Sequence, residues 1–153
     1  MVKIENVLFA TDFSEDSSHA LTYARNLAEL CNTKLFIVHV IENPLEHIYG
    51  VPHGEYPALQ ANAIKKAHEL IHRFDDVLSG FTNFELSTKE GEAPLEILKT
   101  AVEKHAGVIV MGTHGGGALR HLLLGGTVDK VLNSANVPVL VVRHPSRHLS
   151  HQT

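Results

Sequence analysis

Four runs in this chain are apolar without alternation: Val7-Leu8-Phe9-Ala10, Leu35-Phe36-Ile37-Val38 (continuing through His39 to Val40), Val108-Ile109-Val110-Met111, and Val137-Pro138-Val139-Leu140-Val141-Val142. A strand with one wet face alternates apolar and polar side chains. A strand without that alternation must be covered on both faces. Between the runs, apolar residues recur at helical spacing. They are Ala20, Leu21, Ala24, Leu27, Ala28 and Cys31, then Ile64, Ala67, Ile71, Phe74 and Leu78, then Leu95, Ile97, Leu98, Ala101 and Val102. Asn83 to Lys89 does alternate, with Phe84, Leu86 and Thr88 against polar neighbours, and reads as a half-buried edge strand. Strands and helices taking turns in this way require a parallel sheet sandwiched between helices, joined by right-handed crossovers. The expected fold is a single doubly wound, Rossmann-like α/β domain. Its five-stranded parallel sheet has order 3-2-1-4-5 and helices on both faces.

Local signals set the expected boundaries. The first strand runs from Lys3 to Ala10. Ser14 is a suitable N-cap, and Glu15 and Asp16 suit the positive end of the helix that follows. Asn32 stops that helix, and Lys34 to Val40 is the second strand. Ile41 to Tyr56 contains Asn43, Pro44, Gly50, Pro52 and Gly54. It is longer than a usual connection, as a lid or a mobile segment would be. Pro57 opens a helix expected to run to about Ser79, with Gly80 ending it. Glu90-Gly91-Glu92 is a turn. Pro94 fits the first position of a helix reaching Lys104 or His105. The domain is expected to occupy residues 1–144, with 145–153 a polar tail. His144, His148 and His151 lie in or beside that tail.

Composition removes several classes of function. Thirteen Lys and Arg against seventeen Asp and Glu leave a net charge of −4, so the basic footprint of a nucleic-acid binder is missing. With no Trp, six Phe and three Tyr, mostly in core-like runs, base-stacking platforms are not expected either. Cys31, the single cysteine, excludes an intrachain disulfide and a thiolate metal cluster. Its helical position suggests a small core residue. The N-terminus lacks a basic region followed by an apolar core, and no apolar run approaches the ~18 residues that span a bilayer. The expected location is cytoplasmic, with neither membrane nor nucleic acid as partner.

In an open parallel sheet, ligands bind outside the carboxyl ends of the strands where the strand order reverses. Here those ends are Ala10-Thr11-Asp12 and Met111-Gly112. The second leads into a stretch rich in glycine: Gly112, Gly115, Gly116, Gly117, then Gly125 and Gly126 ahead of a helical pattern. Missing Cβ atoms let backbone N–H groups approach a ligand, and a helix start favours an anion. Topology and glycine placement therefore point independently to a phosphate site. It is not a P-loop, because no lysine occurs between Gly112 and Thr127. It is not the dinucleotide fingerprint of a first βα turn, because it follows the fourth strand. Without the lysine, fast phosphoryl transfer is not expected. His114 and Arg120 could supply positive charge. Asp12 could accept from ribose hydroxyls, hold a Mg²⁺ that screens phosphates, or serve only as a helix-capping or turn residue.

Other motifs carry less. His68-Glu69-Leu70-Ile71-His72 fits the His-Glu-x-x-His zinc pattern. The helix that carries it also needs a full apolar face for the sheet, and no further histidine stands at a metzincin spacing. The residues therefore read as exposed flanks. No Gly-x-Ser-x-Gly elbow is present, so nucleophilic catalysis has no support. The last strand would be a long apolar edge, only partly blunted by Pro138. Pairing of Val137 to Val142 with its counterpart in a second subunit would cover it in a two-fold dimer; the alternative is coverage by the C-terminal tail.

These residues together resemble a universal stress protein. The resemblance runs from Val7 to Arg143. It is carried by Ala10-Thr11-Asp12-Phe13-Ser14, by His39-Val40 and by the turn from Gly91 to Pro94. Its most specific part is Gly112-x-x-Gly115, nine residues, then Gly125. That spacing is similar to the nucleotide-binding signature of the family, in which Ser or Thr follows the last glycine. The resemblance implies a homodimer through the last strand. It also implies a site for ATP, ADP or AMP, with Mg²⁺ or Mn²⁺ accompanying the nucleotide. Ala10 and Val40 would line the adenine, Thr11 would belong to the same nucleotide site, and Asp12 would meet ribose or metal. Met111, Gly112, Thr113, His114, Gly115, Gly116 and Gly117 would wrap ribose and phosphates. Gly125, Gly126, Thr127 and Val128 would face the terminal phosphates. Gly126 departs from the signature, and Thr127 stands one place later. The implied function is a nucleotide-binding stress regulator with slow or no ATP hydrolysis. The alternatives are a nucleotide-free interaction module of the same fold and, with less support, a nucleotide-hydrolysing enzyme.

Overall fold

The structure, a computed structural model, describes residues 1–42, 54, 56–113 and 125–145. Its elements follow in order: β1 (Asn6–Ala10), α1 (Glu15–Cys31), β2 (Lys34–Ile41), α2 (Tyr56–Leu70), a 3₁₀ turn (Ile71–Phe74), α3 (Asp75–Leu78), β3 (Phe84–Glu90), α4 (Ala93–Glu103), β4 (Ala106–Gly112), α5 (Gly126–Ser134) and β5 (Val139–Val142). The sheet order is β3-β2-β1-β4-β5, and every neighbouring pair is parallel. This is the doubly wound order expected from the sequence. Strand order reverses between β1 and β4, where Phe9 lies opposite Val110.

Alternation along the buried strands sorts their side chains into two cores. Val7, Phe9, Leu35, Ile37, Val108 and Val110 pack with Ala20, Leu21, Ala24 and Ala28 of α1 and with Ala67, Phe74 and Leu78. Leu8, Ala10, Val38, Ile109 and Met111 pack with Ile97 and Ala101 of α4 and Val128 and Val131 of α5. Each side chain removed from water in this way contributes about 1.5–3 kcal/mol before the cost of ordering it.

Several expectations need correction. The helix expected from Pro57 to Ser79 breaks into α2, the 3₁₀ turn and α3. The tighter turn carries Phe74 into the first core, where it stacks on Phe13 at 5.5 Å and meets Phe9 edge-on at 6.1 Å. Arg25 of α1 then donates to the carbonyl of Val77, and its guanidinium lies 5.7 Å from the Phe81 ring. Strand β1 begins at Asn6 rather than Lys3, because the backbone of Ile4 crosses over Gly107. A Cβ on Gly107 would stand 2.9 Å from Ile4 Cα. Cys31 is exposed, together with Leu30 and Asn32, because the last turn of α1 projects into solvent before Asn32 reverses it at φ 51°. On α4, Leu95 and Val102 face outward, and burial falls instead to Pro94, Ile97, Thr100 and Ala101. The loop expected as a lid lies largely outside the described residues, as do tail residues 146–153.

Candidate functional site

The carboxyl end of β1 leads into a turn whose polar groups are bonded to one another. Thr11 N–H donates to Val38 C=O at 2.9 Å, tying the end of β1 to β2. Thr11 Oγ1 lies 2.5 Å from Ser17 Oγ and accepts from Phe13 N–H at 2.9 Å. The carbonyl of Thr11 bonds the His39 ring at 2.9 Å. Thr11 therefore acts as the anchor of the turn, with its own polar groups committed to it. Asp12 is exposed, and its Oδ1 accepts from Ser14 N–H at 2.9 Å. Ser14 in turn caps α1, accepting from Ser17 N–H at 3.3 Å, as its sequence position predicts. Between them Phe13 takes φ 60°, a left-handed conformation that costs a bulky residue about 1–3 kcal/mol. Burial of the Phe13 ring against Phe74 and against His39 (4.8 Å) offsets that cost.

The carboxyl end of β4 lies beside this turn. Met111 and Thr113 are buried, and Gly112 packs against α1. A Cβ on Gly112 would lie 3.1 Å from the carbonyl carbon and oxygen of Asp16. The glycine is needed there because the backbone of the first turn of α1 fills the space. That differs from the expectation that its bare backbone faces a ligand. Asp16, expected only as a helix-end charge, is itself 2% exposed at this junction.

Residues 114–124 lie outside the described residues, so the positions expected for His114, Gly115, Gly116, Gly117 and Arg120 are not described. The chain is described again from Gly125, whose N–H donates to Thr113 C=O at 2.9 Å. This bond fixes the start of α5 at the end of β4. It also corrects one expectation: the Gly125 amide is spent on the protein and has no proton left for a phosphate. The next three amides differ. In α5 the first internal donor is Asp129 N–H, to Gly125 C=O at 3.0 Å. Gly125 offers no side-chain cap, and among the described residues nothing accepts from Gly126, Thr127 or Val128. At α1 and α4 a side chain takes one amide of the first turn. Ser14 caps α1, and Glu42 Oε1 reaches from the end of β2 to accept from Ala93 N–H of α4 at 3.1 Å. Open space surrounds Gly126, where an added Cβ would meet nothing within 4 Å.

The expected positions thus fall into two groups. Ala10, Thr11, Asp12, Met111, Gly112 and Thr113 gather at the carboxyl ends of β1 and β4. Gly125, Gly126, Thr127 and Val128 are brought to the same edge by the Gly125–Thr113 bond. Val40, half-buried, lies near the end of the adjoining β2.

Residues 3–143 match the sequence profile of the Universal stress protein family. The chain belongs to the universal stress protein family. A relative from Thermus aquaticus, named for its place beside a QAH/OAS sulfhydrylase gene, is 31% identical over 91% of this chain and 98% of its own. The solved structure of MJ0577, a universal stress protein of Methanocaldococcus jannaschii, superposes with a TM-score of 0.74 at 27% identity, covering 94% of this chain and 98% of that one. Another family structure, in complex with cAMP, has a TM-score of 0.66 at 22% identity over 92% and 98% of the two chains.

Against this family background, two other features stand out. His39 and Ser17 organise the β1–α1 turn, yet periodicity marks Ser17 only as a helix residue and His39 only as a polar interruption in an apolar strand. Ser17 bonds a hydroxyl six residues back in the preceding turn, and His39 a backbone carbonyl 28 residues back. The His68-Glu69-x-x-His72 stretch, by contrast, is exposed. His72 sits in the 3₁₀ turn rather than on α2, and its Nδ1 lies 3.3 Å from the Asp75 carboxylate. The two histidines therefore do not share one regular helical face. No helix among the described residues is long and apolar enough to cross a membrane.

Proposed function

We propose that this universal stress protein binds an adenine nucleotide across the carboxyl ends of β1 and β4 and acts as a stress-response regulator. The observation that carries the reading is the start of α5. Among the described residues no side chain accepts from Gly126, Thr127 or Val128, whereas Ser14 takes one first-turn amide of α1 and Glu42 takes one of α4. Free N–H groups at the positive end of a helix are a ready site for phosphate. Asp12, exposed at the end of β1, meets the ribose hydroxyls or a Mg²⁺ or Mn²⁺ ion carried in with the phosphates. Ala10 and Val40 border the base, and the glycine-rich stretch that follows Gly112 in the sequence is assigned the contacts to sugar and phosphates. The cAMP complex of a family member is in keeping with an adenine ligand in this fold.

No lysine is available between Gly112 and Thr127 to hold a γ-phosphate, so hydrolysis is slow or absent. The exposed edge strand β5, with Leu140 facing solvent, pairs with a second copy to form a homodimer.

The test is direct. Protein purified without added nucleotide is denatured and filtered, and the filtrate is examined by chromatography and mass. Separately, ATP, ADP and AMP are titrated calorimetrically with and without Mg²⁺. A saturable heat of binding, abolished in Gly115→Val, is the expected outcome. An empty filtrate with no heat for any of the three would leave a nucleotide-free interaction module as the reading.

A further inference from the structure

We infer that His39 is a positioning residue for the nucleotide site, acting through the main-chain carbonyl of Thr11; this rests on the adenine-nucleotide reading above. The ring nitrogen Nδ1 of His39 lies 2.9 Å from Thr11 O. A carbonyl oxygen can only accept, so Nδ1 carries the proton and the neutral ring is the Nδ1–H tautomer. The bond adds a second tie between β2 and a turn already joined to it by Thr11 N–H and Val38 C=O and braced by the Thr11 and Ser14 hydroxyls. Thr11 is the last buried residue before Asp12. Phe13, one residue further, is held at φ 60°. The same imidazole also lies 4.8 Å from the Phe13 ring, tilted by 47°. One side chain thus grips the turn twice, by a hydrogen bond before Asp12 and by ring contact after it.

Asp12 sits between these two grips. Its Oδ1 is already turned toward Ser14 N–H, so the orientation of the carboxylate follows the path of the backbone from residue 11 to residue 14. Loss of the Thr11 carbonyl bond loosens one end of that path, which Thr11 N–H still ties to Val38 C=O. It also leaves a carbonyl without its partner and relaxes the left-handed residue beside it. The direct consequence is a less preorganised Asp12 and a weaker grip on ribose or metal. His39 makes no contact with the nucleotide in this scheme. It fixes the part that does.

Three proteins test this: wild type, His39→Leu and His39→Asn. The Asn side chain can place an N–H donor close to the position of Nδ1, whereas Leu fills similar volume without one. Each is titrated with the nucleotide that binds wild type, with Mg²⁺, alongside a thermal melt. His39→Leu should weaken binding by about tenfold, the scale of one lost hydrogen bond. His39→Asn should restore most of it. Amide hydrogen exchange at Phe13 and Ser14 should quicken in the Leu variant and recover in the Asn variant. Long-range ¹H–¹⁵N spectra of the wild type should show Nδ1 protonated. Equal affinities in all three proteins, or equal losses in both variants, would overturn the role of the hydrogen bond while leaving the nucleotide site standing. An Nε2–H tautomer would overturn it as well. Failure of wild type to bind any adenine nucleotide would instead remove the site, and this inference with it.

Discussion

Gly112→Ala separates two explanations for a glycine at the end of β4. If the residue is bare so that a ligand can approach, an added methyl should disturb binding and leave the empty protein as stable as before. The packing at Asp16 gives the other result. The new Cβ would lie 3.1 Å from Asp16 C and O and 3.3 Å from Ser17 N, where ordinary contact begins at 3.4 Å. The obstructing atoms are backbone, in the first turn of a helix held by the Ser14 cap and by the Ser17–Thr11 hydroxyl bond. They cannot rotate away, so the strand end or the helix start must shift by a few tenths of an ångström. Overpacking of this kind costs about 1–3 kcal/mol. The reduced entropy of the unfolded chain returns about 0.4–1 kcal/mol of that. The expected net loss, at most about 2.6 kcal/mol and centred near about 1.3 kcal/mol, lowers Tm by roughly 3–5 °C at that centre in a chain of this size. Circular dichroism melts and urea titrations on protein stripped of nucleotide measure it. Gly126→Ser is the control, because nothing lies within 4 Å of that position and its φ is not left-handed. It should melt at or slightly above the wild-type temperature, since the glycine there costs helix stability. An unchanged or raised Tm in stripped Gly112→Ala would refute the packing argument.

Further outcomes follow from the same geometry. Gly126→Ser also restores the hydroxyl of the family signature, and should tighten ATP binding several-fold by calorimetry, the scale of one hydrogen bond of about 0.5–1.5 kcal/mol; no change would mean that the hydroxyl is not aimed at the phosphates. Phe74→Ala leaves a void between Phe9 and Phe13, and should cost about 3–5 kcal/mol in urea unfolding. The Lys34 and Lys104 ammonium groups hydrogen-bonded to Glu85 hold its carboxyl below the ordinary value of 4.5, and Lys89 does the same for Glu103. Carboxyls depressed in the folded state stabilise above their unfolded value and lose that contribution as pH falls through the folded one. The stability gap between wild type and Glu85→Gln should therefore be present at pH 7 and shrink as pH falls through the ordinary carboxyl range and then through the lowered folded value; a gap that persists in strong acid would contradict the assignment. Leu140→Lys places a charge on the exposed edge of β5 and should shift the sedimentation equilibrium toward monomer. A wild type that is monomeric at every concentration would defeat the dimer.

Much of the fold could be read from the chain because its signals are local or periodic. Unalternating runs at Val7–Ala10 and Val108–Met111 require cover on both faces, and that requirement alone implies a parallel sheet between helices. Ser14 and Asn32 mark the two ends of α1 through interactions within a few residues of themselves. The edge where a ligand would sit also follows from strand order, which connection handedness restricts to few choices. The sequence could not tell which groups at that edge are already occupied. Whether Gly112 serves a ligand or the backbone of Asp16 depends on how closely β4 approaches α1. Whether the Gly125 amide is free depends on where Thr113 C=O lies. Whether His39 is a blemish in a strand or the clasp of a turn depends on Thr11 O, 28 positions away in sequence. The break at Ile71–Phe74 has the same origin, because Phe74 is drawn to rings on β1 and in its following turn that no helical periodicity records. Pattern and propensity act along the chain and fix its elements and their order. Hydrogen-bond partners and close approaches act across it, and only the folded arrangement assigns them.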